Sequence, residues 1–277
     1  MYQSTISPAR TITFGDVAEN GPGMQHIGKA SGVGLTRADI EFSKSSFEEL
    51  GVVCEIIDLR LAANGEEDVK DMDSACILIV RGGGGALCCT HKDQLVEGNW
   101  KHHATILETE QSKLEPDRKA WMRGRVVNKL ARWNLCFGDN KQEADLTNRK
   151  GTIVPFSSLP ILSTVRDNLS TFFGGKAHAL NAELNVYYDP RKCGIGFHGD
   201  AERFVTIGIR LGVSIPFQYQ WFKEGKPFGE RVNINLEHGD LYAMGAKAVG
   251  TDWKRRKIPT LRHAAGCMKF TTIKDNN

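Results

Sequence analysis

The sequence has no continuous apolar stretch approaching the roughly 18 residues that a membrane-spanning helix needs. Its opening residues lack the charged-then-apolar order of a secretory signal. Seven cysteines, an odd number with no C-x-x-C spacing, give neither a zinc-site pattern nor a disulfide framework. They read as reduced, buried thiols, and the expected setting is intracellular, cytoplasmic or nuclear, with no membrane partner and no secretion. Charge of one sign is scarce as well: 36 Lys and Arg stand against 33 Asp and Glu, for a net +3 and a pI near 8.4. So mild a balance names no polyanionic partner, because long-range attraction needs a strong or clustered field. There is no internal repeat and no low-complexity tract. The run Gly82-Gly83-Gly84-Gly85 after Arg81 lacks the Gly-Lys-Ser/Thr of a phosphate loop, and no helix is expected to open after it, so it reads as a flexible turn.

What is present is a 277-residue chain, 40% hydrophobic and 25% charged, long enough for one large or two small domains. Residues 1–45 are rich in glycine and weakly patterned. The stretches 52–59 and 75–80 are short β-branched runs bounded by Gly or Asp, the pattern of buried strands. After Pro116, the residues Trp121, Val126, Val127, Leu130 and Trp133 recur at helical spacing among Arg123, Arg125, Lys129 and Arg132. The pattern predicts an amphipathic helix that packs its tryptophans into the core, with a basic nucleic-acid helix as the competing reading. A second helix is predicted from Ser158 or Pro160 to Phe173, with Leu162, Val165, Leu169 and Phe172 as its stripe and Gly174-Gly175 as its stop. From 180 to 274 short segments follow one another, at 184–188, 204–211, 217–222, 232–236, 241–244 and 269–273, as in a compact antiparallel barrel or jelly roll. The expected class is α+β. A jelly-roll core over 151–277 carries flanking helices, and an N-terminal α/β extension over 1–150 packs on it and shapes the substrate entrance, the two forming one integrated domain.

The chemistry-bearing motif is His-Gly-Asp, which occurs twice, at His198-Gly199-Asp200 and His238-Gly239-Asp240, with an isolated His263 further on. Residues two apart on a strand project to one face, so His-x-Asp can offer an imidazole and a carboxylate to a single ion. Two His and one carboxylate on one face leave positions free for a bidentate cosubstrate and dioxygen, the arrangement of non-heme Fe(II) oxygenases. His198 lies 65 residues before His263 (263 − 198), room for several strands to cross a barrel and return, whereas His238 lies only 25 before it (263 − 238). The first copy therefore fits the ligand pair, and the second, between two strand-like segments, reads as a structural turn.

Around the first copy the text resembles the AlkB-like 2-oxoglutarate/Fe(II)-dependent dioxygenases. The segments that carry the resemblance are Leu184-Asn185-Val186-Tyr187, then Gly196-Phe197-His198-Gly199-Asp200-Ala201-Glu202, then Thr206-Ile207-Gly208-Ile209-Arg210-Leu211-Gly212, then Asn235-Leu236-Glu237-His238-Gly239-Asp240-Leu241, with the distal His263 last. The order of N-x-Y strand, H-x-D pair, strand ending in Leu-Gly, Leu-x-His-Gly-Asp turn and distal His is its specific part, over roughly residues 155–274. The resemblance implies a double-stranded β-helix core in which His198, Asp200 and His263 hold Fe(II) and Asn185 and Tyr187 contact 2-oxoglutarate. It departs from the family at the last strand, where an Arg normally clamps the far carboxylate of 2-oxoglutarate and here none follows His263. Lys269 takes that contact in this reading, with Lys274 as runner-up and Arg262 as a weaker candidate because it adjoins His263 and points to the opposite face. Lysine would offer a point charge where arginine offers a fork.

The reaction implied consumes 2-oxoglutarate and O2 and yields succinate, carbon dioxide and a hydroxylated C–H bond. The leading substrate is a methylated or alkylated base in DNA or RNA, which is demethylated if the hydroxylated carbon sits on nitrogen and stays hydroxymethylated otherwise. A hydroxylase of a protein side chain or small metabolite is the first alternative, and a non-catalytic binding module with a degenerate site is the second. The stretch 246–261 carries Lys254-Arg255-Arg256-Lys257, four adjacent cations that belong on a solvated loop. Two readings of that loop stand side by side, a solubilising surface and a set of nucleic-acid phosphate contacts, with Arg123, Arg125 and Arg132 as further places to look.

Overall fold

The structure, a computed structural model, describes residues 6–89 and 100–273. It is a mixed α+β fold, mostly strands with a few helices. The first strand, β1 (Ala9–Gly15), is followed by a small ribbon, β2 (Val17–Glu19) with β3 (His26–Gly28), then by helix α1 (Arg37–Glu48). Thr36 and Asp39 close the start of α1 reciprocally as a capping box. Strands β4 (Cys54–Asp58) and β5 (Cys76–Val80) coincide with the two β-branched runs. Helix α2 (Gly83–Leu87) then opens directly from Gly82, and α3 (Trp100–Ser112) lies against it.

The glycine run is thus the start of a short helix instead of a flexible turn. The reason is space: a Cβ on Gly84 would lie 2.4 Å from Ile209 Cγ2, and one on Gly85 would lie 2.0 Å from the Trp100 carbonyl oxygen. Only glycine lets this helix press between the sheet and α3.

The helix expected after Pro116 is absent, and the segment is instead a β-hairpin, β6 (Lys119–Met122) and β7 (Arg125–Asn128), followed by β8 (Trp133–Gly138). Arg123 and Gly124, with φ of 52° and 80°, make its two-residue turn. The spacing of the apolar residues satisfied a helical period, but a turn-forming Arg-Gly pair and the β-branched Val126-Val127 decide for strands. After β9 (Ile153–Pro155), helix α4 (Pro160–Phe173) runs as predicted, with Pro160 in its first turn, Leu162, Val165, Leu169 and Phe173 buried, and Gly174 at positive φ as its stop.

The remaining strands are β10 (Asn181–Tyr187), β11 (Gly194–His198), β12 (Ile207–Gly212), β13 (Phe217–Lys223), β14 (Lys226–Ile234), β15 (Leu241–Met244) and β16 (Thr260–Gly266), with helices α5 (Ala246–Val249) and α6 (Met268–Thr271) beside the last. Residues 269–273, expected as a final strand, fall on α6 and the two residues after it, because Gly266 at φ 107° ends β16 before them.

Two sheets dominate. An eight-stranded sheet runs β4-β5-β15-β12-β1-β10-β8-β9, antiparallel throughout except for the β8–β9 pair, and a four-stranded sheet runs β11-β16-β13-β14. Residues 1–150 and 151–277 therefore share one sheet: β1 lies between β10 and β12, and β5 pairs with β15.

Alternation along the strands gives the large sheet two different faces. Ile12, Phe14, Leu184, Val186, Ile207, Ile209, Leu211, Leu241 and Ala243 join the apolar core beneath α1, α2, α3 and α4. The other face carries Thr11, Thr13, Glu183, Asn185, Tyr187, Arg210 and Tyr242 and looks toward the smaller sheet. A second core cluster fills much of the space between the two sheets, with Ile77, Ile79 and Met244 meeting Tyr219, Trp221 and Leu261. Among the described residues no helix is long and apolar enough to cross a membrane.

Ile12 sits with no exposed surface on the centre strand of the large sheet. Ile12→Ala is expected to cost about 2–5 kcal/mol, read by equilibrium urea unfolding. A cost below about 1 kcal/mol would mean that residues 1–15 are peripheral to the fold.

Candidate metal centre

His198 ends β11 and His263 lies opposite it on β16, so the strand pairing itself brings the two imidazoles together, with ring centroids 4.4 Å apart. The Nδ1 atom of His198 lies 2.8 Å from the Gly196 carbonyl oxygen and 3.0 Å from that of His263. Both partners can only accept, so in the neutral ring Nδ1 carries the hydrogen and Nε2 is the atom left to bind a metal. Asp200 Oδ1 lies 3.5 Å from His198 Nε2 and 3.7 Å from His263 Nε2. One ligand atom from each of the three residues falls within 4.8 Å of the others, a group able to hold a metal ion.

Gly199 between the ligands is required by close approach, since a Cβ there would stand 2.1 Å from the Gly250 carbonyl oxygen. His263 is 6% exposed, and its pKa is held well below the ordinary histidine value, first by burial and then by His198 and Arg203. Its neutral form is the one that binds metals.

The three residues face a cavity of about 460 Å³ between the sheets. Arg210 from β12 lies on the same lining, 1% exposed, with Nε and Nη1 lacking any hydrogen-bond partner. Burial draws its pKa down, opposed by Tyr187 and Tyr242, and its guanidinium carbon sits 5.9 Å from the Tyr187 ring. Thr11, beside it in the sheet register, has a buried and equally unpartnered Oγ1. A fully buried cation with open donors is costly unless an anion completes it. The reading of the sequence passed over Arg210, although Ile207, Ile209 and Leu211 around it leave it alone on the opposite face of a buried strand.

Lys269 is exposed on α6 and does not line the cavity, whereas Arg210, Arg203, Arg132 and Lys254 do. Lys274 lies outside the described residues. Arg262 points away, with its guanidinium 4.1 Å over the Phe222 ring and 5.3 Å from that of Trp253.

Asn185 and Tyr187 both line the cavity. The amide of Asn185 is already engaged: Oδ1 accepts from Arg132 Nε (2.7 Å) and Asn134 Nδ2 (2.8 Å), and Nδ2 donates to Glu183 Oε1 (3.1 Å). Asn185 therefore positions Arg132, with Glu183 taking one of its two Nδ2 hydrogens. His238-Gly239-Asp240 is a structural turn, with Asp240 accepting from Arg81 Nη1, Gly82 N and Glu237 N.

Of the four-cation loop, only Lys254 lines the cavity, beside Trp253. Arg256 donates to the Glu224 carbonyl, which ties the loop to the β13–β14 turn. Lys254, Arg255 and Lys257 make no ion pair among the described residues, nor do Lys119, Arg123 and Arg125 of the β6–β7 hairpin. Arg132 reaches the same cavity from the hairpin side. Glu19, Glu183 and Glu202 also lie on the lining, as do Gly21 and Pro22 of the loop after β2.

That loop is anchored by Lys129, whose Nζ donates to Asn20 O (2.6 Å) and Oδ1 (2.7 Å), and whose pKa burial draws down to about 8. A lowered amine pKa means that, as pH rises above about 8, the folded protein gives up a proton that the unfolded chain still holds, so stability rises with pH there. The wild type should accordingly gain stability over Lys129→Met between pH 7.5 and 9.5 in urea unfolding, and a pH-independent difference would refute the assignment.

No protein-family model matches the chain. A protein of Acanthamoeba polyphaga mimivirus described as uncharacterized protein R156 is 43% identical to it over 265 residues, spanning 96% of this chain and 98% of the viral one.

Proposed function

The chain belongs to the family of that mimiviral protein, and from that premise and the site we propose that it is an Fe(II)- and 2-oxoglutarate-dependent dioxygenase of the AlkB-like kind, its two facing sheets forming a jelly roll. One observation carries the reading: a buried His198–Asp200–His263 group and a buried, unpartnered Arg210 share a single cavity. A metal alone would leave Arg210 unpaired. A chelating dicarboxylate that binds the metal at one end and Arg210 at the other satisfies both.

With the metal bound, the chemistry supplied is oxidation of a substrate C–H bond by O2, with 2-oxoglutarate leaving as succinate and carbon dioxide. The chain's own residues orient the reactants. His198 and His263 present imidazole nitrogens and Asp200 a carboxylate oxygen from one side, which leaves the cavity side open. Arg210 offers its guanidinium charge to the far carboxylate, Thr11 adds a hydroxyl, and Tyr187 and Tyr242 wall the end. Trp253 and Pro22 add apolar surface to the lining.

For the substrate, the favoured reading is a methylated or alkylated base in DNA or RNA. Support comes from two cations on the cavity lining, Arg132 and Lys254, and from further cations without ion-pair partners close to them in the chain, Lys119, Arg123 and Arg125 on the hairpin and Arg255 and Lys257 on the loop. The carboxylates Glu19 and Glu202 on the same lining favour a second reading, a hydroxylase of a cationic or hydrogen-bond-donating group on a protein side chain or small metabolite. A binding module without activity accounts less well for Arg210.

Succinate release with Fe(II) and 2-oxoglutarate tests the reaction. The expected result is turnover in the wild type and none in His198→Ala. Absence of both turnover and iron uptake in the wild type would sink the proposal. Arg210→Met is expected to weaken 2-oxoglutarate binding about 10- to 100-fold, the loss of one charge-assisted contact, while metal uptake persists. Lys269→Ala should leave that binding unchanged, and calorimetric titration of the Mn(II)-loaded proteins separates the two. Oligonucleotide binding should weaken steeply with salt, and salt-independent binding would count against a nucleic-acid substrate.

A further inference from the structure

We infer that Arg203 is a positioning residue that holds Asp200 ready for a metal, a role that rests on the metal-site reading above. Arg203 follows Asp200 by three residues and is 3% exposed, with its guanidinium among three carboxylates. Its Nη2 donates to Glu183 Oε2 at 2.9 Å and to Glu202 Oε1 at 3.0 Å, and its Nε, which donates to Glu202 Oε1 at 3.2 Å, lies 3.7 Å from Asp200 Oδ2, an ion-pair contact and not a hydrogen bond.

The two oxygens of Asp200 are thus divided. Oδ2 faces Arg203, and Oδ1 faces both imidazoles. Glu183 in turn fixes Arg203 to the floor of the cavity, because it sits on β10 and also accepts from the Glu19 backbone and from Asn185. Burial alone would push the Glu183 carboxyl up, yet Arg203 and these hydrogen bonds hold it below the usual carboxylate range. The cradle around Asp200 is therefore built from its own turn and tied to the large sheet through Glu183, while the histidines come from the small sheet.

Charge and geometry predict opposite effects at this residue, and that makes the role testable. Three carboxylates around one guanidinium leave two negative charges uncompensated (3 − 1 = 2), which suits a divalent ion. A cation so close to the ligands repels a metal, so if Arg203 were only a counter-charge its removal would tighten metal binding. If it orients Asp200, removal releases the carboxylate and binding weakens, as loss of an outer partner of a ligand commonly does by about 10- to 100-fold.

The experiment is Co(II) and Mn(II) titration of the metal-free protein, followed by absorption and calorimetry, with thermal melts of the metal-free variants to establish folding. Arg203→Met is expected to weaken both metals at least tenfold, with Arg203→Lys between it and wild type because lysine keeps the charge and loses the fork. Glu183→Gln, which keeps Arg203 and removes its anchor, should also weaken binding. The double variant Arg203→Met with Glu183→Gln should fall short of the sum of the two losses. Unchanged or tighter binding in folded Arg203→Met overturns the inference, and if that variant does not fold, unchanged or tighter binding in both Arg203→Lys and Glu183→Gln overturns it. Metal uptake in wild type that His198→Ala abolishes upholds the metal site whatever the Arg203 variants show, whereas no such uptake removes the site and the inference together.

Discussion

Each strand that floors the cavity is buried on both faces, yet only one of those faces is apolar. A strand in that position has to satisfy every polar group it hides, because an unpaired buried donor or acceptor costs about 1–3 kcal/mol. On β10 the cost is met inside the protein. Glu183 accepts from Arg203, from Asn185 and from the Glu19 backbone, and Asn185 accepts from Asn134 and Arg132. On β12 it is not met, and Arg210 and its neighbour Thr11 keep open donors. The difference between these two adjacent regions of one sheet separates scaffold from candidate binding surface.

The same constraint orders the site in space. The histidines enter on the small sheet, where a cross-strand pair puts them face to face, and Asp200 enters on the turn that leaves it. Asp200 is steadied from its own turn by Arg203, which Glu183 of the large sheet anchors, and Arg210, the buried cation with open donors, enters on the large sheet. The distance between the sheets consequently governs how ligands and anchors meet, and the apolar cluster around Trp221, Tyr219 and Met244 sets that distance.

Much of this could be read from the sequence. Strand periodicity located β4, β5, β13 and β15 to within a residue or two, and the stripe and stop signals located α4. The choice of the first His-Gly-Asp over the second rests on separation along the chain, and among the described residues only His198, Asp200 and His263 converge, while Asp240 spends its oxygens on a turn. The errors have physical causes. The hairpin at 119–128 carried a helix-like spacing that its Arg-Gly turn overrode. The weakly patterned N-terminus hid the central strand because Thr11 and Thr13 face a polar cavity, so β1 lacks the continuous apolar run that marks a buried strand. Arg210 does not stand out in the sequence, since local text cannot show which charged side chain lacks a partner. Lys269 was favoured because it stood in the stretch where a final strand was expected, and Gly266 ends that strand early.

The position of β1 also has a consequence for how the chain is made. Ala9 pairs with Tyr187 on one side and Gly212 on the other. At a synthesis rate of about 5–20 residues per second, β1 leaves the ribosome roughly ten to forty seconds before its neighbours are complete. During that interval it is an unpaired strand whose Ile12 and Phe14 have nothing to pack against, a target for chaperones and for association between nascent chains. Once β10 and β12 arrive, inserting β1 joins two strands that otherwise do not touch. Closure of the large sheet is therefore a late, long-range event, and the polar floor of the cavity comes into existence only when it is complete.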